Sequence, residues 1–197
     1  MNTFQKIAGD IKRFLNTPHD PAGVQILEGT ERDDPPATPQ RFCILEREDL
    51  EGAEHTFHWG DLECPGAVLA LGMVQPQYVA VEPRIHHPVA AVRVGPLEKA
   101  DVVLFTVTPR QAMVLAILTG GIEAHCKGEH AICGEVIARV YESGRPHMSL
   151  LCQGVRVLCG FQDDELVVGI PWNLFLNLPE EMARRVSIHA TPEGSLL

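Results

Sequence analysis

The chain has 197 residues, 45% of them hydrophobic and 21% charged, a composition typical of a globular protein that buries a core. Its formal net charge of -10 argues against binding to nucleic acid or to an anionic membrane surface, since both need clustered Lys and Arg. No stretch reaches the roughly 18 unbroken apolar residues of a membrane span, and the N-terminus lacks the apolar region of a signal peptide. We therefore expect a cytoplasmic protein whose six cysteines stay reduced or bind metal.

The first half of the chain predicts one amphipathic helix followed by short strands and loops. Apolar residues recur at helical spacing near the N-terminus, and the acidic, proline-rich run after residue 28 is typical of an exposed loop. The predicted elements are a helix over 2–16, strands over 23–27, 55–59 and 78–82, a short helix over 43–50, and a buried helix over 64–73.

The second half predicts stronger strands. The β-branched runs 89–94 and 102–107 are typical of strands buried on both faces. The remaining predicted elements are a helix from Pro109 to the stop at Gly120, a helix from Cys133 to near Gly144, a strand-to-helix passage over 148–158, a strand over 166–170, two helices over 171–178 and 179–186, and a loose C-terminal tail over 188–197. This alternation predicts an α/β or α+β fold with a mixed sheet and packed helices.

Two segments of the chain resemble each other. Each opens on a cysteine behind an apolar residue and closes on the pattern C-x-G-[AV]-x4-G-[MF]. The opening cysteines, Cys43 and Cys133, are 90 residues apart, and the closing ones, Cys64 and Cys152, are 88 apart. We interpret this as a degenerate duplication within one compact domain over 1–197, with half-units of about 22–95 and 96–175.

The duplication predicts that four cysteines meet at one site. Soft thiolate ligands select zinc or iron–sulfur clusters, and both accept four cysteines. The predicted metal ligands are Cys43, Cys64, Cys133 and Cys152. The alternative is that these cysteines only fill gaps in the core, because cysteine is among the most buried residue types.

Three neighbouring residues are candidates for contact with such a cofactor. Gly66 and Gly154 would let backbone amides approach the sulfurs, which tunes the potential of a cluster. Arg156 could hold an anionic ligand or neutralise a thiolate cluster, although an arginine on an edge strand has the same pattern.

A second, local candidate for zinc lies between the halves. Cys126, His130 and Cys133 have spacings of four and three, which bring side chains to one side of a helix or turn. The alternative is a polar surface loop after Gly120 and Gly121.

The sequence resembles the domain-of-unknown-function family 169, which occurs in archaea and anaerobic bacteria. The resemblance depends on short motifs in a fixed order along the chain: Phe42-Cys43, Cys64-Pro65-Gly66-Ala67, Leu71-Gly72-Met73, Gly95-Pro96-Leu97-Glu98-Lys99, 102–105, Gln111-Ala112-Met113, Cys133, 149–156 and Val168-Gly169-Ile170-Pro171. It implies the same four cysteine positions as the repeat, whereas Cys126 and Cys159 are particular to this sequence. The segment after Cys43 departs from the family pattern. The family implies no activity.

Three functions remain open from the sequence. The first is a protein that binds zinc or an iron–sulfur cluster through its cysteines, for electron transfer or for a redox enzyme that is its partner. The second is a small-ligand binding module whose cysteines are structural, with its pocket between the two halves. The third is an enzyme with a nucleophilic thiol at Cys64 or Cys152. The sequence does not decide whether the protein is an enzyme, nor its oligomeric state.

Overall fold

The computed structural model describes residues 2–29, 39, 41–45, 53–58, 60–64, 71, 73, 85–125 and 132–189. Helices and strands alternate within these residues, which confirms the predicted mixed α/β class. The helices are α1 Thr3–Leu15, α2 Pro109–Thr119, α3 Ile132–Ser143, α4 Gln153–Leu158 and α5 Trp172–His189. The strands are β1 Ala22–Glu28, β2 His55–His58, β3 Val89–Gly95, β4 Val102–Val107, β5 Glu123–Ala124, β6 His147–Leu150 and β7 Leu166–Pro171.

The seven strands form one mixed sheet in the order β2-β3-β1-β4-β7-β6-β5. Every neighbouring pair is antiparallel except β5 with β6. In the first half β1 lies at the centre of the sheet, with β3 beside it and the middle strand β2 beyond that. In the second half β4 lies at the centre, with β7 beside it and the middle strand β6 beyond that, and the two-residue strand β5 is added at the edge. Apart from β5, the order of the described strands is therefore mirrored about the central pair of β1 and β4. The duplication of the sequence itself stays a prediction.

The hydrogen-bond register matches residues of the two halves. In the first half Val94 lies between Val24 and His55, and in the second half Gly169 lies between Leu104 and His147. His55 and His147 therefore occupy corresponding places on the middle strands.

Each face of the sheet carries its own hydrophobic cluster, because strands buried on both faces send alternate side chains to opposite sides. In β4, Val102 and Leu104 belong to one cluster, while Val103 and Phe105 belong to the other. Helices α3 and α4, together with residues 43–45, cover the first face. Helices α1, α2 and α5 cover the second.

Local sequence sets the ends of the helices that cover the second face. Asn2 caps α1: its side-chain oxygen accepts the backbone N–H of Gln5 at 2.8 Å, and the backbone N–H of Asn2 donates to the side-chain oxygen of Gln5 at 3.0 Å. Asn16 ends α1 in the left-handed conformation (φ 51°), and Gly120 ends α2 in the same way (φ 81°). No helix in the described ranges is long and apolar enough to cross a membrane.

Three predicted helices differ from the structure. Instead of two helices over 171–178 and 179–186, α5 runs through Pro179 without a break. A proline inside a helix costs about 3 kcal/mol, but Phe175, Leu178 and Met182 pack into the same cluster on either side of it and hold the two parts together. The helix predicted from Cys43 does not begin there, because residues 43–45 lie outside any helix or strand. Residues 46–50 and 78–82 lie outside the described residues.

Candidate thiol site

Cys133 enters the core from the first turn of α3. Val136, Ile137 and Val140 lie three, four and seven residues further on and are all buried, so Cys133 shares their face of the helix. This face packs against β7, where Gly169 provides room for the helix: a Cβ at Gly169 would lie 2.8 Å from Cγ1 of Val136. The helical spacing predicted from the sequence is confirmed.

Cys43 and Cys64 are brought side by side by a short pairing of two irregular segments. Arg41 and Leu62 form a parallel β-bridge. The N–H of Glu63 donates to the carbonyl of Arg41 at 2.7 Å, and the N–H of Cys64 donates to the carbonyl of Phe42 at 2.9 Å. Both cysteines are buried.

Cys152 is half-buried and is the N-cap of α4. Its backbone is extended, and its carbonyl accepts the N–H of Arg156 at 3.1 Å to start the helix. It follows β6 directly, so the middle strand of the second half delivers Cys152 to the site. Cys64 also comes after the middle strand of the first half, but six residues beyond its end at His58, whereas Cys152 lies two residues beyond the end of β6 at Leu150.

The structure places three of the predicted cysteines, Cys43, Cys64 and Cys152, near the fourth, Cys133. The Cys133 thiol is fully buried and hydrogen-bonded to Cys43, and it interacts electrostatically with Cys152 and Cys64. The pKa of Cys133 is raised well above its ordinary value, first by the hydrogen bond to Cys43, then by burial, then by the nearby thiols. All these effects favour the neutral thiol. The five cysteines that the structure describes are free of disulfides.

The ring of Phe42 packs against Gly154 and so joins two of the segments that carry cysteines. A Cβ built on Gly154 would lie 2.5 Å from Cζ and 2.8 Å from Cε1 of the Phe42 ring. Phe42 precedes Cys43 in the chain, and Gly154 lies in the first turn of α4, just after Cys152. The glycine therefore makes room for an aromatic side chain here, whereas the sequence analysis assigned it contact with a cofactor. That assignment stays a prediction.

Arg156 anchors the loop between α4 and β7. Its guanidinium donates to the backbone carbonyls of Leu151 at 3.1 Å and Glu165 at 2.9 Å, and also to that of Gln162. Each of the three guanidinium nitrogens therefore donates to a backbone carbonyl of the protein. Contact of Arg156 with an anion or a cluster stays a prediction.

A buried pair that the sequence analysis did not single out holds the same loop. Nε2 of His19 lies 2.6 Å from Oε1 of Glu165, and the other carboxylate oxygen accepts the N–H of Gln162 at 2.6 Å. The two residues are 146 positions apart in the chain. No local pattern relates them, so the sequence offered no signal for the pair.

Several predicted site residues lie elsewhere or outside the described residues. Gly66, Cys126 and His130 fall outside them, so the local zinc candidate stays a prediction. Cys159 is buried in the same hydrophobic cluster as Cys43 and Cys133. Within the described ranges, no group of three or more His, Cys, Asp or Glu side chains is arranged so that it could hold a metal ion.

Fold and site together define a mixed α/β protein in which three cysteines lie near the buried thiol of a fourth, Cys133. The sequence profile of the family described as Uncharacterised ArCR, the domain-of-unknown-function family 169, matches residues 76–181. The chain belongs to this family, which confirms the resemblance noted in its sequence.

One curated relative is the Uncharacterized protein MJ0308 of Methanocaldococcus jannaschii, which is 31% identical over 98 residues. The match covers 45% of this chain and 42% of the relative, so this chain spans less than half of that protein's length. No solved structure matches the chain.

Proposed function

We propose that the protein holds a thiolate-ligated metal centre, zinc or an iron–sulfur cluster, on Cys43, Cys64, Cys133 and Cys152. The observation that carries the proposal is the fully buried Cys133 thiol, which is hydrogen-bonded to Cys43 and lies within electrostatic reach of Cys64 and Cys152. Four cysteines are a complete ligand set for a structural zinc or a cubane cluster.

The electrostatics of the metal-free site favour neutral thiols, so thiolates there would need a bound cation to compensate their charge. Burial of a charged group costs several kcal/mol unless an opposite charge compensates. Each cause that shifts the pKa of Cys133 raises it, so the thiol stays protonated when no metal is bound. A divalent cation or a cluster would supply the missing positive charge and displace the protons.

Metal binding would also require a rearrangement of the cysteine side chains. Two thiolates on one tetrahedral zinc lie about 3.8 Å apart, because each Zn–S bond is about 2.3 Å. The protonated thiols are not arranged for ligation. Rotation of the cysteine side chains would have to draw the sulfurs together, and Cys152, being half-buried, has the most freedom to move.

A role in electron transfer would place the partner near Cys152. It is the one half-buried member of the four, and the elements on either side of it in the chain carry exposed apolar side chains: Leu150 in β6 and Val157 and Leu158 in α4 expose 54%, 67% and 62% of their surface. Exposed apolar side chains around a redox centre are a common docking feature. This supports, within the same proposal, a redox partner protein that approaches along β6 and α4.

The test is metal analysis of protein purified without oxygen, together with its visible absorption. Iron–sulfur ligation would give charge-transfer bands and matching iron and sulfide, whereas zinc would give a colourless protein that turns blue-green when cobalt replaces zinc. Alanine at each of the four cysteines should abolish or strongly reduce the bound metal.

Cys159→Ala is the matched control, because Cys159 is buried in the same cluster but lies outside the proposed ligand set. It should keep the full metal content. The proposal fails if wild-type protein stays metal-free after reconstitution with iron and sulfide and with zinc. It also fails if folded variants of the four cysteines bind as much metal as Cys159→Ala.

A further inference from the structure

His87 and Glu28 are held side by side at the end of the sheet where β1 ends and β3 begins. Glu28 is the last residue of β1 and pairs with Val89, the first residue of β3. One step further out, the N–H of Gly29 donates to the carbonyl of Pro88 at 3.1 Å. His87 directly precedes Pro88, so the pairing of the two strands fixes its backbone relative to that of Glu28.

The imidazole of His87 carries a buried nitrogen with an acceptor just out of reach. Its Nε2 is buried and has no hydrogen-bond partner among the residues that the structure describes. Oε1 of Glu28 lies 3.7 Å from this nitrogen, too far for a hydrogen bond. Unsatisfied buried nitrogens are rare in folded proteins, and such a nitrogen beside a carboxylate indicates a site for an ion or for a water molecule.

The separation of 3.7 Å fits a metal ion between the two atoms better than a water molecule. A zinc ion lies about 2.0–2.2 Å from an imidazole nitrogen or a carboxylate oxygen, so it would span this distance with an angle of about 120–135° at the metal. A water molecule bonded to both atoms at about 2.8 Å would need an angle of only about 80°, well below the tetrahedral directions of its own bonds.

The surroundings of the pair are negative. The hydroxyl of Tyr141, near the end of α3, donates to the same oxygen of Glu28 at 3.3 Å, and its ring lies 5.6 Å from that of His87. The pKa of Tyr141 is raised first by burial and then by the nearby carboxylates of Glu28, Asp101 and Glu142. No Lys or Arg among the described residues forms an ion pair with Glu28. Its charge is therefore available to a cation.

We propose that Nε2 of His87 and the carboxylate of Glu28 bind a divalent transition-metal ion of the zinc class. Imidazole nitrogen suits zinc, whereas magnesium and calcium prefer oxygen ligands. The Glu28 side chain is 69% exposed, so an ion can enter from solvent and water molecules can complete its coordination. Tyr141 is a positioning residue, because its hydroxyl holds the carboxylate. The site contains no cysteine and does not depend on the proposed thiol centre.

Zinc titration of the full-length protein, followed by NMR, tests the proposal. The imidazole nitrogen signals of His87, identified by their loss in His87→Gln, report this site whether or not the thiols hold metal. Zinc should shift the Nε2 signal of His87 until the site is saturated. Magnesium at the same concentrations should leave it in place.

Two variants and a control locate the ligands. Binding to each is followed through the backbone amides of residues 27–29 and 87–89. His87→Gln and Glu28→Gln should each weaken zinc binding by about tenfold or more, since removing a group that only supports a ligand already costs about 10–100-fold in affinity. His86→Gln, which removes the exposed neighbouring histidine, should bind zinc as wild type does.

Four results would overturn the inference. The first two are the absence of a saturable shift of the His87 nitrogens and an equal response to magnesium. The third is unchanged zinc affinity in folded Glu28→Gln. The fourth is an equal loss of affinity in His86→Gln and His87→Gln, which would show an adventitious ion only. If His87→Gln does not fold, Glu28→Gln still decides the question, because its amide oxygen keeps an acceptor for the Tyr141 hydroxyl.

Discussion

Replacing Gly154 by alanine tests whether the contact between Phe42 and α4 holds the thiol site together. The added Cβ would lie 2.5 Å from Cζ of Phe42, about 1 Å closer than carbon atoms normally approach. The Phe42 carbonyl accepts the N–H of Cys64 at 2.9 Å, which holds the backbone in place, so the clash has to be relieved by rotation of the ring against its neighbours. Overpacking of this kind costs about 1–3 kcal/mol.

Part of that cost is offset, because alanine favours a helix over glycine by up to about 1 kcal/mol. We expect Gly154→Ala to lower the free energy of unfolding by about 1–2 kcal/mol. For a chain of this size the melting temperature should fall by about 2–8 °C. Thermal and urea unfolding in reducing, oxygen-free buffer would measure both quantities.

A double-mutant cycle with Phe42→Leu identifies the cause. The smaller leucine removes the ring that meets the new methyl group, so the two substitutions together should cost about as much as Phe42→Leu alone. This corresponds to a coupling energy of about 1–2 kcal/mol. Gly9→Ala is the control of opposite sign, because its Cβ meets no neighbour and should stabilise α1 by about 0.5–1 kcal/mol. If Gly154→Ala is as stable as wild type, or if its cost adds fully to that of Phe42→Leu, the reasoning is refuted.

Three further outcomes follow from the packing and the pKa shifts. Gly169→Ala should destabilise the protein by about 1–3 kcal/mol in urea unfolding, because its Cβ would lie 2.8 Å from Val136; an unchanged midpoint would contradict the packing of α3 on β7. Burial lowers the pKa of His147, so the unfolded chain binds a proton that the folded chain resists, and stability should fall as the pH drops below about 6.5. His147→Gln should reduce that loss, and an identical pH profile for the variant would exclude His147 as its source. The raised pKa of Cys133 acts at the other end of the pH range: metal-free protein should lose stability above about pH 8.5, where the thiol ionises in the unfolded chain but not in the folded one. Cys133→Ala should lose less stability over the same range. Equal alkaline slopes for the two proteins would argue against a buried neutral thiol.

The sequence predicted those elements whose pattern is local. The β-branched runs of β3, β4 and β7 mark strands buried on both faces, and the periodicity of α3 placed Cys133 on its buried side. The break predicted at Pro179 was wrong, because the helical cost of proline is a local quantity whereas the packing of α5 against the core is not. Local propensity predicts a helix end only where no tertiary contact outweighs it.

The sequence predicted which cysteines form the candidate site, but not which contacts bring them together. The repeated pattern singled out four cysteines, and Cys133 interacts with each of the other three. The contact that joins their segments, Phe42 against Gly154, links residues more than a hundred positions apart. A glycine that makes room for a distant ring has the same local sequence as a glycine that admits a ligand. For this reason the sequence assigned Gly154 to a cofactor, while the structure places an aromatic ring against it.

The way in which the cysteines reach the site predicts how metal binding and folding are related. In zinc fingers the ligands come from one short segment, and the chain is unfolded without metal. Here Cys43 and Cys64 come from the first half, Cys133 from α3 and Cys152 from the cap of α4, so the sheet must form before the four can meet. The cluster on the second face contains none of the four cysteines, and on the first face Cys43 and Cys133 lie among many aliphatic and aromatic side chains that pack without a metal. Chelation should therefore leave the far-ultraviolet circular dichroism and cooperative unfolding in place and lower only the melting temperature. A chelated chain that loses its helical signal would show instead that the thiol site directs folding, and the mirrored halves of the sheet would then depend on the metal to join them.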